Sequence, residues 1–155
     1  MACASGEYQQ HSFERDLAKL FERRESDLYL IGHHMKFDVH MALNVGIDLR
    51  NNKLYCTQNA EALLDEYARS YSLDAVSKKY GGVTKVGDDM YAHLAKLFNV
   101  APDRNSMSVF WQTSGLDPMV TEYAEADAAA TINVSKNQVR ELRGQDLTKV
   151  ANLDA

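Results

Sequence analysis

A chain of 155 residues with 45% hydrophobic and 25% charged residues can form one globular domain with its own core. Its net charge of −5 excludes a generally basic, nucleic-acid-binding surface, although a site built from carboxylates and metal ions is acidic by construction. No apolar run approaches a transmembrane length, residues 1–10 lack a signal peptide, and the distant Cys3 and Cys56 predict free thiols in a reducing compartment.

Apolar periodicity predicts a helix, a strand, a helix, a strand and then mostly helices. Residues 1–11 and 99–116 lack periodicity, so we expect a disordered arm and a long loop there. The first predicted elements are a helix from Ser12 to about Arg24, a strand Leu28–Ile31, a helix from about Phe37 to Asn44 and a strand Leu54–Thr57. The later ones are all helices, namely Asn59–Arg69 with Ala60, Leu63, Leu64 and Tyr67 on one face, a helix capped by Ser72, a helix marked by Met90, Leu94, Leu97 and Phe98, and a helix from Pro118 to about Arg143. This order indicates an α/β protein whose sheet is too small to stand alone.

The first candidate for chemistry is Asp38, which follows the first predicted strand at the change from strand to helix. Open α/β folds commonly bind ligands at the carboxyl ends of their strands. The alternative is that Asp38 only caps the following helix. His33, His34 and His40 do not indicate zinc, since adjacent side chains diverge and no zinc-binding spacing is present.

The second candidate is the pair Tyr123 and Asp127 in the long predicted helix. The two residues are four apart, so they share a helix face, and Val120 lies on the same face. Burying an unpaired carboxylate on the apolar face of a helix costs free energy. Coordination of a metal ion would pair its charge and remove that cost. The alternative is a helix rim from which Asp127 reaches solvent.

These segments resemble a known family. Residues 30–38, LIGHHMKFD, resemble the second exonuclease motif of family A DNA polymerases, and Tyr123-x-x-x-Asp127 resembles the third motif of the tyrosine subclass of the DEDD exonucleases. Three further segments are similar in the same order, namely Cys56–Ala62, Ser72–Asp74 and, as in phage versions, Phe110–Pro118. The similarity spans about residues 12–150.

The resemblance implies an RNase H-like exonuclease fold, here truncated to a small remnant sheet with mostly helices. It implies a proofreading 3′–5′ exonuclease with two Mg²⁺ or Mn²⁺ ions that hydrolyse the 3′-terminal phosphodiester of single-stranded DNA. Carried over by position, Asp38 and Asp127 would hold metal and, with Tyr123, form the catalytic set. His34 and Phe37 would bind the 3′-terminal bases. We therefore expect the two carboxylates within roughly 8 Å of each other, since the two metals lie about 4 Å apart.

Three departures from the family pattern stand out. No strand-like segment contains the family's Asp-x-Glu motif, His34 replaces the usual Asn, and Cys56 replaces the usual Asp before Thr57. We expect a partial exonuclease domain at 12–145, with 146–155 beginning a linker toward an absent polymerase domain. The metal site would then be incomplete and the isolated chain inactive.

Two other functions stay open from sequence alone. One is a nonenzymatic remnant that binds nucleic acid or the remaining polymerase chain, and the other is a small helical interaction protein. We also expect self-association through the open edge of Leu28–Ile31, because an unpaired strand edge readily pairs with another chain. The expected location is the cytoplasm, that of the host cell if a phage encodes the protein.

Overall fold

A computed structural model of the chain describes residues 29–50, 52–82 and 86–151. The predicted arm at 1–11 and the predicted helix from Ser12 to about Arg24 lie outside the described residues. The elements are, in chain order, β1 (Tyr29–Gly32), α1 (Met35–Asn44), β2 (Lys53–Cys56), α2 (Thr57–Leu64), α3 (Leu73–Lys79), α4 (Val86–Phe98), a 3-10 segment (Arg104–Gln112), α5 (Pro118–Gly144) and α6 (Thr148–Ala151). None of the helices described is long and apolar enough to cross a membrane.

The sheet in the described part of the chain consists of β1 and β2, which run parallel. Tyr29 lies opposite Lys53, and Gly32 lies opposite Cys56. Parallel strands need a crossover, which α1 supplies before the chain returns for β2. The predicted α/β class with a small sheet and mostly helices is therefore confirmed.

The long helix α5 organises the packing, since α2, α3, α4, α6 and β1 all contact it. Asp117 begins α5 by accepting a hydrogen bond from the Met119 N–H over 2.9 Å, as the Asp-Pro pair predicts. Near this end, the buried Met90, Leu94 and Val120 form an apolar cluster. The first turns of α5 are thus held against α4.

The predicted helix Asn59–Arg69 was wrong at both ends. The structure has Thr57 already in α2, and the helix ends at Leu64, because the Asp65 backbone leaves the helical conformation with φ of −149°. Tyr67 was expected on one helix face with Leu63 and Leu64, but it lies in the turn beyond the helix and is 87% exposed. The helix stops early because the chain turns there toward α3, which packs on α5.

The predicted loop at 99–116 contains regular structure, because Arg104–Gln112 is a 3-10 segment. The Asp103 carboxylate accepts a hydrogen bond from the Asn105 N–H over 2.7 Å and begins it. Met107 and Phe110 are three apart, so they align on one side of a 3-10 turn, and both pack on the apolar cluster. Of the four apolar residues that predicted α4, Leu97 is exposed, since Leu94 and Phe98 take the inner face of the helix.

Candidate functional site

Asp38 lies in the first turn of α1, and its carboxylate turns back to the carboxyl end of β1. A Cβ added to Gly32 would lie 3.2 Å from Asp38 Oδ2 and 2.8 Å from Met35 Cε. Any larger residue at the end of β1 would therefore require the Met35 and Asp38 side chains to shift, so Gly32 allows the close approach of Asp38. The position that caps α1 belongs to His34, so Asp38 does not serve as the helix cap.

His34 adopts a left-handed backbone conformation with φ of 62°. Among residues other than glycine, Asn, Asp and His adopt this region most readily, which explains how His34 stands where the resemblance expects Asn. Its imidazole stacks on the Phe37 ring with centroids 6.1 Å apart and planes at 14°. Phe37 is 57% exposed, so the stacked pair forms an aromatic surface next to Asp38.

Partial burial raises the pKa of the Asp38 carboxyl, and the nearby His34 opposes this by favouring the charged form. Within the described parts of the chain, no hydrogen bond or ion pair satisfies this carboxylate. A carboxylate in such surroundings is better stabilised by a cation than by water alone.

His33 connects the end of β1 to two other elements. Its Nε2 donates to the Tyr71 carbonyl over 2.9 Å, and its Nδ1 lies 2.9 Å from Thr57 Oγ1. Burial lowers the pKa of His33, so the neutral ring accepts the Thr57 hydroxyl hydrogen at Nδ1. His33 thus holds together the end of β1, the start of α2 and the residue before the Ser72 cap of α3.

Tyr123 and Asp127 lie one turn apart on α5, and the Tyr123 hydroxyl is near enough to the Asp127 carboxylate for each to shift the pKa of the other. Burial, with a smaller effect of the Asp127 charge, raises the pKa of Tyr123 to about 12. Burial also raises the pKa of Asp127, although the nearby Tyr123 hydroxyl opposes that shift. The Tyr123 ring packs on Phe110 of the 3-10 segment with centroids 6.1 Å apart.

A cleft of about 620 Å³ contains this pair. Its lining includes both predicted residues of α5 and side chains from three other elements, among them Ser72, Leu73, Tyr91, Arg104, Tyr123 and Asp127. Asp38 does not line this cleft. His33, five residues earlier, is hydrogen-bonded to the carbonyl of Tyr71, which directly precedes the lining residue Ser72. The convergence of Asp38 and Asp127 stays a prediction.

The residues that line this cleft include two that the sequence analysis did not single out, Tyr91 and Arg104. The signal for Arg104 was present in the sequence, because Arg104, Met107 and Phe110 follow one another at the three-residue period of a 3-10 helix. Tyr91 directly follows the buried Met90, so it lies at the edge of the inner face of α4.

The described residues do not fit a two-metal site by themselves. Across residues 29–50, 52–82 and 86–151, no three His, Cys, Asp or Glu side chains lie close enough to hold a metal ion. Mg²⁺ needs near-octahedral oxygen coordination, and a pair of ions needs several bridging carboxylates. Cys56, at the position where the resemblance expects Asp, is buried at the end of β2.

Comparison with known proteins supports the resemblance. Residues 5–143 match the model of the 3′–5′ exonuclease of A-type DNA polymerases. DNA polymerase DpoZ of Salmonella phage PMBT28 is 32% identical to this chain over 157 aligned residues, which cover 99% of the chain and 25% of that protein. DNA polymerase DpoZ of Acinetobacter phage SH-Ab 15497 is 34% identical over 81% of the chain and 20% of that protein.

A DNA-directed DNA polymerase of Pseudomonas phage M6 is 27% identical over 81% of the chain and 18% of its own length. The chain thus spans a quarter or less of the length of these relatives. No solved structure matches it. The family predicted from the motifs around Asp38 and Tyr123–Asp127 is confirmed, and the chain belongs to the 3′–5′ exonuclease family of A-type DNA polymerases.

Proposed function

We propose that this domain hydrolyses the 3′-terminal phosphodiester of single-stranded DNA as the proofreading part of a phage DNA polymerase. The observation that supports this most is the Tyr123–Asp127 pair, which lines a polar cleft in a chain of the exonuclease family. The similarity to proteins named as phage DNA polymerases supports the proposal that the domain works as part of such a polymerase. The remaining polymerase chain is then the natural partner of the domain.

Tyr123 is suited to orient a water molecule for attack on the phosphodiester. With a pKa near 12 its hydroxyl stays protonated at neutral pH, so it can donate one hydrogen bond and accept another. The nearby Asp127 carboxylate is suited to accept the donated hydrogen bond. We therefore assign positioning of the water to Tyr123, and cation and water binding to Asp127.

Asp38 is the second carboxylate of the proposed site. Partial burial raises its pKa, as expected for a carboxylate that awaits a cation. The family generally uses divalent metals, and Mg²⁺ or Mn²⁺ would supply an activated water when bound. Because the described residues do not form a complete ligand set, we expect little activity from this chain alone.

His34 and Phe37 are suited to hold the bases at the 3′ end. Their stacked rings are exposed next to Asp38, and bases stack on exposed aromatic rings whatever their sequence. A net charge of −5 disfavours long contacts with the phosphate backbone, so binding of a short 3′ end is the better fit.

Digestion of a 5′-labelled single strand in the presence of Mn²⁺ tests the proposal. We expect slow shortening from the 3′ end, and no shortening in Asp38→Asn or Asp127→Asn. The matched control is Asp146→Asn, because Asp146 is exposed with φ of 57°, a conformation that Asn tolerates.

Two results would contradict parts of this proposal. Rapid digestion that Asp38→Asn abolishes would show that the chain needs no Asp-x-Glu motif. Binding of the strand without any cleavage, even with a large excess of protein, would instead favour a nonenzymatic binding remnant.

A further inference from the structure

We propose that the cleft beside Tyr123 and Asp127 binds one nucleotide of the DNA strand, with the Arg104 guanidinium on its phosphate and the Tyr91 ring against its base. This inference rests on the proposed function for the class of ligand. It adds a substrate subsite built from Tyr91 of α4 and Arg104 at the start of the 3-10 segment, two residues outside the segments that carry the resemblance.

Among the described residues that line this cleft, Arg104 is the cation that has no ion-pair partner and is available to a phosphate. The other cation in the lining, Lys78, is bonded to Asp74 over 2.7 Å. Arg104 has no carboxylate partner in the described parts of the chain. Its planar group offers a fork of donors that matches two phosphate oxygens, which a lysine cannot do.

The segment that carries Arg104 is fixed in place. Asp103 begins the 3-10 segment by accepting the Asn105 N–H, and one 3-10 turn further on Met107 lines the same cleft. Met107 and Phe110 pack on the apolar cluster, and Phe110 also contacts Tyr123. Arg104 is therefore held relative to Tyr123 by packed side chains rather than by a free loop.

Tyr91 contributes an aromatic ring to the cleft that Arg104 lines. It follows the fully buried Met90 on α4, and its hydroxyl is near enough to Tyr123 to contribute to the raised pKa of that residue. The cleft volume of about 620 Å³ lies within the range of small-ligand pockets, so one nucleotide can enter. An aromatic ring beside an arginine is the usual combination for binding a single strand.

The charges of the described lining favour a ligand with one phosphate. Beside the Lys78–Asp74 pair, the described lining contains Arg104 together with Asp88 and Asp127. Within that lining, a second phosphate would meet two carboxylates and no second cation without an ion-pair partner. Because Tyr123 lies in the same cleft, the bound nucleotide is the one next to the bond that is cut.

Fluorescence anisotropy of a short single strand tests this subsite, with the full chain, EDTA to prevent cleavage, and a salt series. We expect Arg104→Gln to weaken binding roughly tenfold and to reduce the slope of log affinity against log salt by about 0.7, the value for one phosphate on a single strand. Arg104→Lys should restore the slope but only part of the affinity, because an ammonium lacks the fork. Tyr91→Leu should weaken binding roughly tenfold with an unchanged slope, and Tyr91→Phe should bind as the parent does.

The matched control is Arg140→Gln on the exposed side of α5, which should leave affinity and slope unchanged. If Arg104→Gln keeps the parental slope, or if Arg140→Gln changes it equally, the proposed subsite is wrong. Digestion assays on the same proteins separate the two proposals. A chain that binds with this Arg104 dependence but never cleaves overturns the exonuclease function and leaves the subsite standing.

Discussion

Gln138, fully buried on α5, donates a hydrogen bond to the carboxylate of Glu61 on α2 over 2.8 Å, although 77 residues separate them. The same Gln138 Nε2 donates to the Thr57 carbonyl over 2.9 Å. Glu61, only 1% exposed, also accepts from Lys79 and Tyr80 of the α3 region. This buried polar cluster fixes α5, and with it Tyr123 and Asp127, relative to the strand ends.

Replacing Gln138 with Leu should lower the free energy of unfolding by about 1–3 kcal/mol, because buried polar partners lose their hydrogen bonds. The affected groups are the Thr57 carbonyl, one oxygen of Glu61 and the Tyr55 hydroxyl, which donates to Gln138 Oε1. Urea denaturation measures the change. The control is Asn133→Leu at an exposed position of α5, which should change stability by less than about 0.5 kcal/mol. Equal effects of the two substitutions would show that the buried cluster contributes nothing to stability.

Asp127→Asn should abolish cleavage while increasing stability. At neutral pH the Asp127 carboxylate is ionised although burial raises its pKa, so its charge opposes folding. Asn removes the charge, and its side-chain oxygen can still accept a hydrogen bond from the Tyr123 hydroxyl. Because solvent screens the charge of the parent carboxylate, we expect the free energy of unfolding to rise by at most about 1 kcal/mol. A carboxyl whose pKa is raised by folding destabilises the folded state only where it is ionised, that is, as pH rises through this pKa. The stability that Asp127→Asn gains over the parent should therefore shrink near pH 4.

Urea denaturation at both pH values measures this gain, with Asp146→Asn as the control. A loss of stability at neutral pH in Asp127→Asn would show that the carboxylate is satisfied within the fold.

His33 should make the protein less stable in mild acid. Its pKa is lowered from 6.5 by burial, so the unfolded chain takes up a proton before the folded chain does. The neutral His33 ring therefore contributes fully to the free energy of unfolding above pH 6.5. This contribution is lost as pH falls toward the lower pKa that His33 has in the folded state. His33→Gln should therefore be less stable than the parent at pH 7.5, with a smaller difference at pH 5.5. The raised pKa values of Asp38 and Asp127 act in the opposite direction, so the comparison is made between variant and parent at each pH.

Thermal melts of His33→Gln and the parent at the two pH values measure the effect, with His40→Gln as the control at an exposed position of α1. A difference that does not change with pH would show that His33 does not titrate in this range.

Phe37→Ala should weaken binding of a single strand by about 1–3 kcal/mol, the usual contribution of one base stacked on an aromatic ring. Its ring is mostly exposed, so the melting temperature should hardly change. Tyr67→Ala is the matched control, since Tyr67 is an exposed aromatic on the turn after α2. Anisotropy measures both variants, and equal affinities for them would remove Phe37 from the DNA surface.

The outer edge of β1 should promote self-association. Within the described residues β1 pairs with β2 alone, and Tyr29 and Ile31 expose half or nearly half of their surfaces. Both line an apolar groove of about 470 Å³ against α5 and α6. Ile31→Lys should reduce association, because a charge directed into such a surface opposes strand addition.

Sedimentation velocity over a concentration series measures this, with Leu116→Lys as an exposed control outside the sheet. A parent chain that stays monomeric at every concentration would contradict the prediction.

The features that the sequence predicted well are local ones. The strand at Leu28–Ile31 was placed within one residue of β1, and the caps at Ser72 and Asp117 were placed correctly. Each of these depends on side chains within a few residues of one another, so the linear pattern contains the information. The motifs at Asp38 and Tyr123–Asp127 identified the family for the same reason.

The tertiary structure decided what depends on distant residues. The end of α2 at Leu64 and the exposure of Tyr67 follow from how the chain turns to pack α3 on α5. Arg104 and Tyr91 reach one cleft with Tyr123 because Met107, Phe110 and Leu94 bury themselves together, and the pairing of Gln138 with Glu61 requires two helices to meet in a dry interior. Burial of apolar surface between remote segments determines such contacts, and neither residue spacing nor helix capping encodes it.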